Sequence, residues 1–227
     1  MRSRARTNRH RSNHRSLVPE ACVTRLSLYL RELRQLHRLR IGFVSSRRLA
    51  QQLSLTDAQV RRDLSYFGQF GTSGRGYEVQ RLREHLTTIL GVSGRTWNVA
   101  LAGIGNLGSA LLAYRGFTER GFLFRVAADV DAQKVGRIVQ GLTVAPAQQL
   151  AQLVRQHDIH IGMIAVPSET AQAVCNQFVE GGVKAIVNFA PLHLEAPSQV
   201  RVKTVDLAME LESLAFYLAR NGKAHAR

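Results

Sequence analysis

Val99-Ala100-Leu101-Ala102-Gly103-Ile104-Gly105-Asn106-Leu107-Gly108 is an apolar stretch that runs directly into the glycine pattern G-x-G-x-x-G. The apolar run is typical of a buried strand, and the pattern predicts a tight turn and a helix that begins near Asn106. Further strand-like segments follow, and helical segments separate several of them. Together the strand-like segments are Asn98–Ala102, Leu123–Ala128, Ile159–Val166, Ala185–Phe189 and Arg201–Val205. This alternation predicts an α/β domain of the Rossmann type, a doubly wound parallel sheet with helices on both faces.

The glycine pattern predicts a dinucleotide site. Gly103 permits the tight turn, Gly105 lets the backbone approach a pyrophosphate, and Gly108 lets the helix pack closely on the sheet. The pyrophosphate would lie on N–H groups at the helix start. Asp129, 21 residues past Gly108, ends the next strand, where a carboxylate binds ribose hydroxyls and repels a 2′-phosphate, so NAD(H) is favoured over NADP(H). Asp131 competes for part of that role. The predicted site also includes the helix start and the end of the strand Ile159–Val166: Asn106, Leu107, Val166 and Pro167.

Positive charge is concentrated in the N-terminal third of the chain. The 227 residues carry 31 Lys and Arg against 16 Asp and Glu, a formal net charge of +15. Residues 1–84 hold 18 arginines and 6 acidic residues, a net charge of +12. Arginine matches phosphates and guanine edges with its fork of N–H donors, so this distribution favours a nucleic acid partner. A merely cationic surface is the alternative. An anionic membrane is disfavoured because no long apolar helix adjoins the basic region.

The same third has the element pattern of a winged helix. Residues 19–40 form a first predicted helix, with apolar residues at helical spacing: Val23, Leu26, Leu30, Leu33 and Leu36. A second helix, Arg47–Leu53, is capped by Ser45 or Ser46. Thr56 and Gln59 form a capping box for a third helix, which runs to about Phe67. A Gly-rich turn between two short β-type stretches at 68–79 predicts a hairpin, and a helix Arg81–Leu90 with the breaker at 91–94 closes the domain.

In a winged helix the third helix lies in the major groove, and the wing contacts the backbone or the minor groove. Val60, Leu64 and Phe67 share the inward face of this helix. The predicted DNA contacts are Gln59, Arg61 and Arg62 to bases or phosphates, Tyr66 and Arg75 to phosphates or the minor groove, and Ser45 and Ser46 to phosphates. An ordinary solvated basic face on the helix is the alternative.

Other features limit the class of protein. Cys22 and Cys175 lack CxxC or CxxH spacing, so we expect neither a disulfide framework nor a metal site. The sequence contains neither a signal peptide nor a transmembrane run, which predicts a cytoplasmic protein without a membrane partner. Residues 1–17 carry six arginines and no acidic residue, and we expect this tail to be disordered when free. It either adds non-specific DNA affinity or is only a solvated tail.

In combination, these motifs resemble the Rex family of bacterial redox-sensing transcriptional repressors. The resemblance spans about Val18 to Leu218 and rests on Val18-Pro19…Arg25-Leu26, Gln59-Val60-Arg61-Arg62-Asp63-Leu64-Ser65-Tyr66-Phe67-Gly68, Gly103–Gly108, Val187-Asn188-Phe189-Ala190-Pro191 and Val205-Asp206-Leu207. It implies a homodimer with a swapped C-terminal helix. Such a dimer binds palindromic operator DNA in the major groove when free of NADH and releases it when NADH binds, so NADH/NAD+ is a regulatory ligand. The apolar circumference of the last helix, Leu207–Leu218, also predicts docking on a second subunit.

The resemblance further implies three switch residues. Tyr114 matches a tyrosine near the nicotinamide, and Asp206 matches the carboxylate that pairs with this tyrosine from the other subunit in the reduced state. Arg31 matches the arginine that competes for that carboxylate in the DNA-competent state. Leu207 lies where some relatives have an aromatic residue, and Ala128 where many have phenylalanine.

These inferences divide the chain into four parts: an Arg-rich tail 1–17, a winged-helix domain 18–94, an NAD(H)-binding domain 95–205, and a dimerisation helix and tail 206–227. The predicted function is repression rather than catalysis. An NAD-dependent oxidoreductase with an accessory basic domain is the alternative, and it needs a proton donor beside the substrate carbonyl. However, the sequence has no Tyr-xxx-Lys pair, and His157, His160 and His193 lack partner spacing. A third possibility is a vestigial nucleotide fold that only forms a dimer interface and binds no NADH.

Overall fold

The computed structural model describes the backbone of residues 18–222 and the side chains of residues 18–219. The predicted Arg-rich tail, residues 1–17, lies outside the described residues. The contacts divide the chain into two compact units, Met1–Gly94 and Arg95–Arg227. None of the helices within residues 18–222 is both long and apolar enough to cross a membrane.

The first unit contains the predicted three helices followed by a hairpin. Its helices are α1 (Glu20–Arg38), α2 (Ser46–Gln52), α3 (Asp57–Ser65) and α4 (Val79–Ile89), and its strands are β1 (Phe43–Val44), β2 (Gly71–Thr72) and β3 (Gly76–Glu78). The strands form a small antiparallel sheet in the order β1-β3-β2. The winged-helix prediction is therefore confirmed. Strand β1, which is only two residues long, was not predicted.

Helical periodicity in the first unit was predicted correctly, with local exceptions. Leu26, Leu30, Leu33 and Leu36 of α1 are buried, whereas Val23 is exposed. Cys22 and Tyr29 are buried in addition, because a face wider than the leucine stripe packs on the other helices. Helix α3 ends at Ser65, two residues earlier than predicted. Helix α4 begins at Val79, two residues before the predicted start.

The second unit is built on a seven-stranded sheet. Its strands are β4 (Trp97–Ala102), β5 (Phe122–Asp129), β6 (Ile138–Val139), β7 (Leu142–Pro146), β8 (Ile161–Ile164), β9 (Ala185–Asn188) and β10 (Arg201–Thr204). The helices are α5 (Asn106–Ala113), α6 (Leu150–Gln156), α7 (Ser168–Gly181) and α8 (Leu207–Gly222), with 3-10 turns at Thr118–Arg120 and Ala147–Gln149. The strand order is β10-β9-β8-β4-β5-β7-β6.

Six of these strands are parallel, and β6 pairs antiparallel with β7 at the edge. The prediction of a doubly wound parallel sheet is therefore confirmed, with one addition: the short antiparallel edge strand β6, which carries no apolar run long enough to be recognised in the sequence. Strand order reverses between β4 and β8, since the chain builds outward from β4 first through β5 and β7 and then through β8, β9 and β10. In open α/β sheets a ligand binds at this reversal, beyond the carboxyl ends of the strands.

Strand β4 is buried on both faces. Val99 and Leu101 belong to one apolar cluster, whereas Ala100 and Ala102 belong to the other. Successive side chains of a strand point to opposite faces, so this strand needs a continuous apolar run rather than an alternating one. The run ends at Ala102, where the glycine turn begins.

Helix α8 is apolar but exposed in the single chain. Five of its large apolar side chains are between 60% and 73% exposed: Leu207, Met209, Leu211, Leu214 and Leu218. A contiguous apolar surface of this kind marks an interaction site.

Candidate cofactor site and candidate DNA interface

The glycine turn after β4 packs on the end of β8. Gly103 has a φ of +94°, a conformation that favours glycine, and its N–H donates to the carbonyl of Ala128 at 2.8 Å. A Cβ at Gly103 would collide with the carbonyl oxygen of Ala165 and lie 2.8 Å from Val166 Cγ1. The close approach therefore brings Val166 beside the turn, as expected for a cofactor residue.

The other two glycines leave room for a ligand and bring the helix close. A Cβ at Gly105 would have no heavy atom within 4 Å, so this position faces open space. A Cβ at Gly108 would collide with the carbonyl of Gly103, which explains why the helix can start so close to the turn. Helix α5 begins at Asn106, as predicted, and Asn106 and Leu107 are exposed. The open position and the free first-turn N–H groups fit a dinucleotide pyrophosphate.

Asp129 lies beneath the glycine turn rather than open to solvent. Its carboxylate is 7% exposed. It accepts hydrogen bonds from the N–H of Ile104 (2.7 Å), the N–H of Asp131 (2.9 Å) and Nζ of Lys134 (3.2 Å). Burial alone would raise the pKa of Asp129, but these bonds and the charge of Lys134 lower it. Asp129 thus holds the turn in shape.

Asp131 is the more accessible of the two carboxylates, with its side chain 42% exposed. Lys134 lies 3.8 Å from it and bridges it to Asp129. Lys134 was not predicted, although its spacing after the two carboxylates, D-x-D-x-x-K, is visible in the sequence. The ribose contact stays a prediction for Asp129 and for Asp131.

Two other predicted cofactor residues lie at helix ends. Tyr114 ends α5 and is 52% exposed, and its ring packs edge-to-face on Phe117 at a centroid distance of 5.1 Å. A Cβ at Gly116 would lie 2.5 Å from the Tyr114 ring, so the ring rests on a bare backbone. Pro167, at the N-terminus of α7, is exposed. The glycine turn follows the carboxyl end of β4, and Pro167 follows the carboxyl end of the neighbouring strand β8. Tyr114 follows α5, the helix that begins at the glycine turn.

The two remaining switch residues, Asp206 and Arg31, lie in different units of the chain. The carboxylate of Asp206 accepts a hydrogen bond from the N–H of Ala208 at 2.9 Å and so caps the start of α8. Within residues 18–222 of one chain, no hydrogen bond joins Asp206 to Tyr114. Arg31 lies on the exposed surface of α1 in the first unit.

Two of the three histidines considered for catalysis, His157 and His160, lie away from the predicted cofactor site, whereas His193 is exposed in the segment that follows β9. His160 Nδ1 accepts the N–H of Asn98 at 3.1 Å, and Asn98 Nδ2 donates to the carbonyl of His157. Asn98 lies at the start of β4, whereas the glycine turn follows the end of that strand. Both histidines therefore lie at the opposite edge of the sheet from the predicted cofactor site. Residues 18–222 contain no cluster of three or more His, Cys, Asp or Glu side chains suited to a metal ion.

In the first unit, α3 presents Arg62 near the middle of its outward face. Val60, Asp63 and Leu64 are buried, while Arg62 and Ser65 on the other side are exposed. Within the described part of the chain, the guanidinium of Arg62 has neither a hydrogen-bond nor an ion-pair partner. The Arg62 guanidinium is therefore available for the predicted contact with DNA.

The two polar neighbours of Arg62 are already bonded. Gln59 Nε2 donates to Asp63 Oδ1 at 2.8 Å. Arg61 Nη1 donates to Asp57 Oδ2 at 2.7 Å and to Ser46 Oγ at 3.1 Å. The predicted capping box is thus half formed: Thr56 Oγ1 accepts the N–H of Gln59 at 3.1 Å, but the Gln59 side chain does not return to Thr56.

The other predicted DNA contacts flank α3. Ser45 caps α2, its Oγ accepting the N–H of Arg48 at 3.1 Å, so it rather than Ser46 is the cap. Tyr66 is exposed at the end of α3. Arg75 lies in the hairpin with its guanidinium 4.7 Å from the ring centroid of Phe43. Tyr66 and Arg75 are accessible to a duplex, and the hydroxyls of Ser45 and Ser46, which only accept a bond here, each keep an O–H donor for a phosphate.

Asp63 is the centre of a buried hydrogen-bonded cluster that was not predicted from the sequence. Its side chain is 1% exposed and accepts hydrogen bonds from Arg25 Nε (2.6 Å) and Nη2 (2.8 Å), Tyr29 Oη (2.7 Å) and Gln59. Burial alone would raise the pKa of Asp63, but these hydrogen bonds and the charge of Arg25 outweigh it and lower the pKa to about 2. Burial and Asp63 together raise the pKa of Cys22 to about 11. The one available signal was the position of Asp63 between the inward residues Val60 and Leu64.

Comparisons with known proteins agree with this architecture. A family model described as a CoA binding domain matches residues 94–192, and one described as a putative DNA-binding protein N-terminus matches residues 17–65. The chain is similar to the redox-sensing transcriptional repressor Rex of Carboxydothermus hydrogenoformans, with 48% identity over 204 residues that cover 90% of this chain and 98% of that protein.

Solved structures of RSP, a Rex-family repressor, are also similar. RSP in complex with β-NAD+ and operator DNA matches with a TM-score of 0.86 and 32% identity over 92% of this chain and 96% of that one. RSP in complex with β-NADH matches with a TM-score of 0.84 and 31% identity, covering 92% and 98%.

Proposed function

This chain belongs to the Rex family of redox-sensing transcriptional repressors, and from that premise we propose how its two units divide the work. The protein is a repressor rather than an enzyme: it binds operator DNA and responds to NADH and NAD+ as regulatory ligands. The observation that carries this function is similarity along nearly the whole chain to one repressor solved both with NAD+ on operator DNA and with NADH. We place the protein in the cytoplasm, where bacterial operator DNA lies.

The second unit holds the nicotinamide dinucleotide. Gly103, Gly105 and Gly108 shape the turn, and the N–H groups at the start of α5, with Asn106 and Leu107, bind the pyrophosphate. Asp129 supports the turn from below, and Asp131 adds an accessible carboxylate for the ribose. Val166 and Pro167 line the far side. Open space at Gly105 supports this assignment.

The first unit binds the duplex. Helix α3 lies in the major groove with Arg62 directed at base edges, where an arginine fork recognises guanine. Arg61, Tyr66 and Arg75 contact phosphates or the minor groove from either side. Ser45 and Ser46 lie at the start of α2, where exposed backbone N–H groups suit a phosphate.

A homodimer provides the geometry for a palindromic operator. The exposed apolar residues of α8 support docking of this helix on a second subunit. Two α3 helices then meet major grooves about 34–36 Å apart, or a multiple of that spacing. A change in the angle between the two subunits moves both helices out of register.

Release follows from unequal binding to two dimer states. A ligand shifts an equilibrium only by its difference in affinity between the states. In this proposal the dimer closes around NADH, with Tyr114 beside the nicotinamide and Asp206 of one subunit paired with Tyr114 of the other. Arg31 competes for Asp206 in the DNA-competent state. Each tenfold preference amounts to about 1.4 kcal/mol.

A gel-shift titration tests this function. The full-length protein on a palindromic duplex should be released by NADH even when NAD+ is in excess. Arg62→Ala should weaken the shift about tenfold or more, whereas Asp129→Ala should keep DNA binding and blunt the response to NADH. Tyr114→Phe and Asp206→Ala should leave NADH binding measurable but uncouple it from release. A duplex that stays bound at saturating NADH would overturn the proposal.

A further inference from the structure

Helix α3 carries a polar residue, Gln59, of a type that contacts DNA bases, but its side chain is already bound by another residue of the protein. Gln59 is half-buried on α3, and its amide donates to the buried carboxylate of Asp63 at 2.8 Å. We propose that Gln59 and Asp63 are a positioning pair that fixes the rotation of α3, and that base reading on this helix belongs to Arg62. The inference rests on the proposed function, because it assigns roles within the DNA interface of that function.

Asp63 is an anchor for α3, since hydrogen bonds to its carboxylate hold this helix against α1. Four donor groups from three side chains converge on its two oxygens, and two of those side chains, Arg25 and Tyr29, belong to α1. Arg25 binds with both prongs of its guanidinium, the geometry that best fixes orientation as well as distance. The carboxylate therefore ties α3 to α1 at one point of the helix circumference. Rotation of α3 about its axis would break these bonds.

The energetics keep Gln59 on this anchor. Hydrogen bonds to an ionised group are roughly twice as strong as those between neutral groups. The bases offer only neutral partners to an amide. If Gln59 turned toward a base, it would exchange a bond to a carboxylate for bonds to neutral partners. The bond to Asp63 therefore favours a role of Gln59 in positioning α3 over a role in contacting bases.

Arg62 differs from Gln59 in its outward position on α3 and in having no partner for its side chain among the described residues. It lies next to Asp63 in sequence, so the bonds that fix the rotation of α3 also set the direction of the Arg62 Cα–Cβ bond. No partner within residues 18–222 competes for its guanidinium. Arg61 is bonded to Asp57, but that pair is exposed and weak, so Arg61 can still turn to a phosphate.

The experiment compares base preferences of variants in the full-length protein. A palindromic duplex is first selected from a random-sequence pool by the wild-type protein without NADH. Affinities for this duplex, and for each single base-pair change in one half-site, are then measured by fluorescence anisotropy. The variants are Gln59→Met, Asp63→Asn, the double variant, and Arg62→Met as a matched reader control. Thermal unfolding of each variant is recorded alongside.

A positioning role predicts a uniform effect. Gln59→Met should weaken binding about threefold to tenfold for the selected duplex and by the same factor for every changed base pair, without altering the order of preference. Arg62→Met should remove the preference at one base pair, a loss of about tenfold or more there. In the Asp63→Asn background, Gln59→Met should have little further effect, because the charged acceptor that holds the Gln59 amide has been replaced by a neutral one.

Three results would overturn the inference: a base preference lost in Gln59→Met, effects of Gln59→Met and Asp63→Asn that multiply independently, or Gln59→Met binding every duplex like the wild type. Should Asp63→Asn fail to fold, the base profile of Gln59→Met decides alone, since that variant keeps the Arg25–Asp63 pair. A wild-type protein that selects no duplex would instead refute the proposed function itself.

Discussion

Replacement of Asp63 by asparagine should destabilise the first unit at neutral pH. Folding lowers the pKa of this carboxyl from 3.8 to about 2. A shift of this size corresponds to roughly 2 kcal/mol of folding free energy. Because the folded-state pKa is the lower one, the contribution is complete above about pH 4 and is lost as the pH falls through about 2. The amide of asparagine would also turn a donor toward Arg25, Tyr29 or Gln59, so the total cost at pH 7 is about 2–4 kcal/mol.

Amide hydrogen exchange measures this cost where it arises. The slowest amides of α1 and α3 should exchange roughly 30- to 700-fold faster in Asp63→Asn at pH 7, since each 1.4 kcal/mol is about tenfold. Amides of β4 in the other unit should not change. Glu84→Gln is the matched control, because among the described residues this exposed carboxylate accepts a side-chain hydrogen bond from Gln80 alone. Unchanged protection of α3, or a difference between Asp63→Asn and wild type that does not shrink at pH 2–3 after correction for intrinsic rates, would refute the reasoning.

Three further substitutions test the cofactor site. Gly105→Ala should preserve the melting temperature but weaken NADH binding, measured by calorimetry, about tenfold or more. The reason is that its Cβ enters only the space assigned to the pyrophosphate. Gly42→Ala is the control: its Cβ is equally unhindered, and this variant should bind NADH normally. Gly116→Ala should displace the Tyr114 ring and alter release by NADH while leaving the operator affinity without cofactor unchanged. Asp129→Asn should place an amide donor against backbone N–H groups and weaken NADH binding about tenfold or more, and normal NADH affinity would contradict its supporting role.

The architecture was predictable where one local pattern decides the outcome. The apolar run of β4 and the glycine pattern sufficed for the strand, the turn and the start of α5 at Asn106. Thr56 and the inward residues Val60 and Leu64 likewise located α3. In contrast, β1 depends on pairing with the distant strand β3, and β6 pairs with its neighbour β7 in a short hairpin. Strands of two residues, such as β1 and β6, carry no periodic signal.

Side-chain partnerships were predictable only in part. Gln59 was assigned to a capping box by its spacing from Thr56, but the charged oxygen of Asp63 is the stronger acceptor and holds the amide. Asp129 was expected at the end of β5, and the structure places it there, but no spacing indicates that two backbone N–H groups and Lys134 surround it. These contacts join residues that only the folded chain brings together.

Isothermal titration of NADH into the full-length protein, with and without a saturating palindromic duplex, addresses most directly whether cofactor and DNA exclude one another. Coupling between two ligands is reciprocal. The duplex should therefore weaken NADH binding about tenfold or more, by the same factor that NADH weakens operator binding. Equal NADH affinity in the two titrations would contradict a redox-controlled release of DNA.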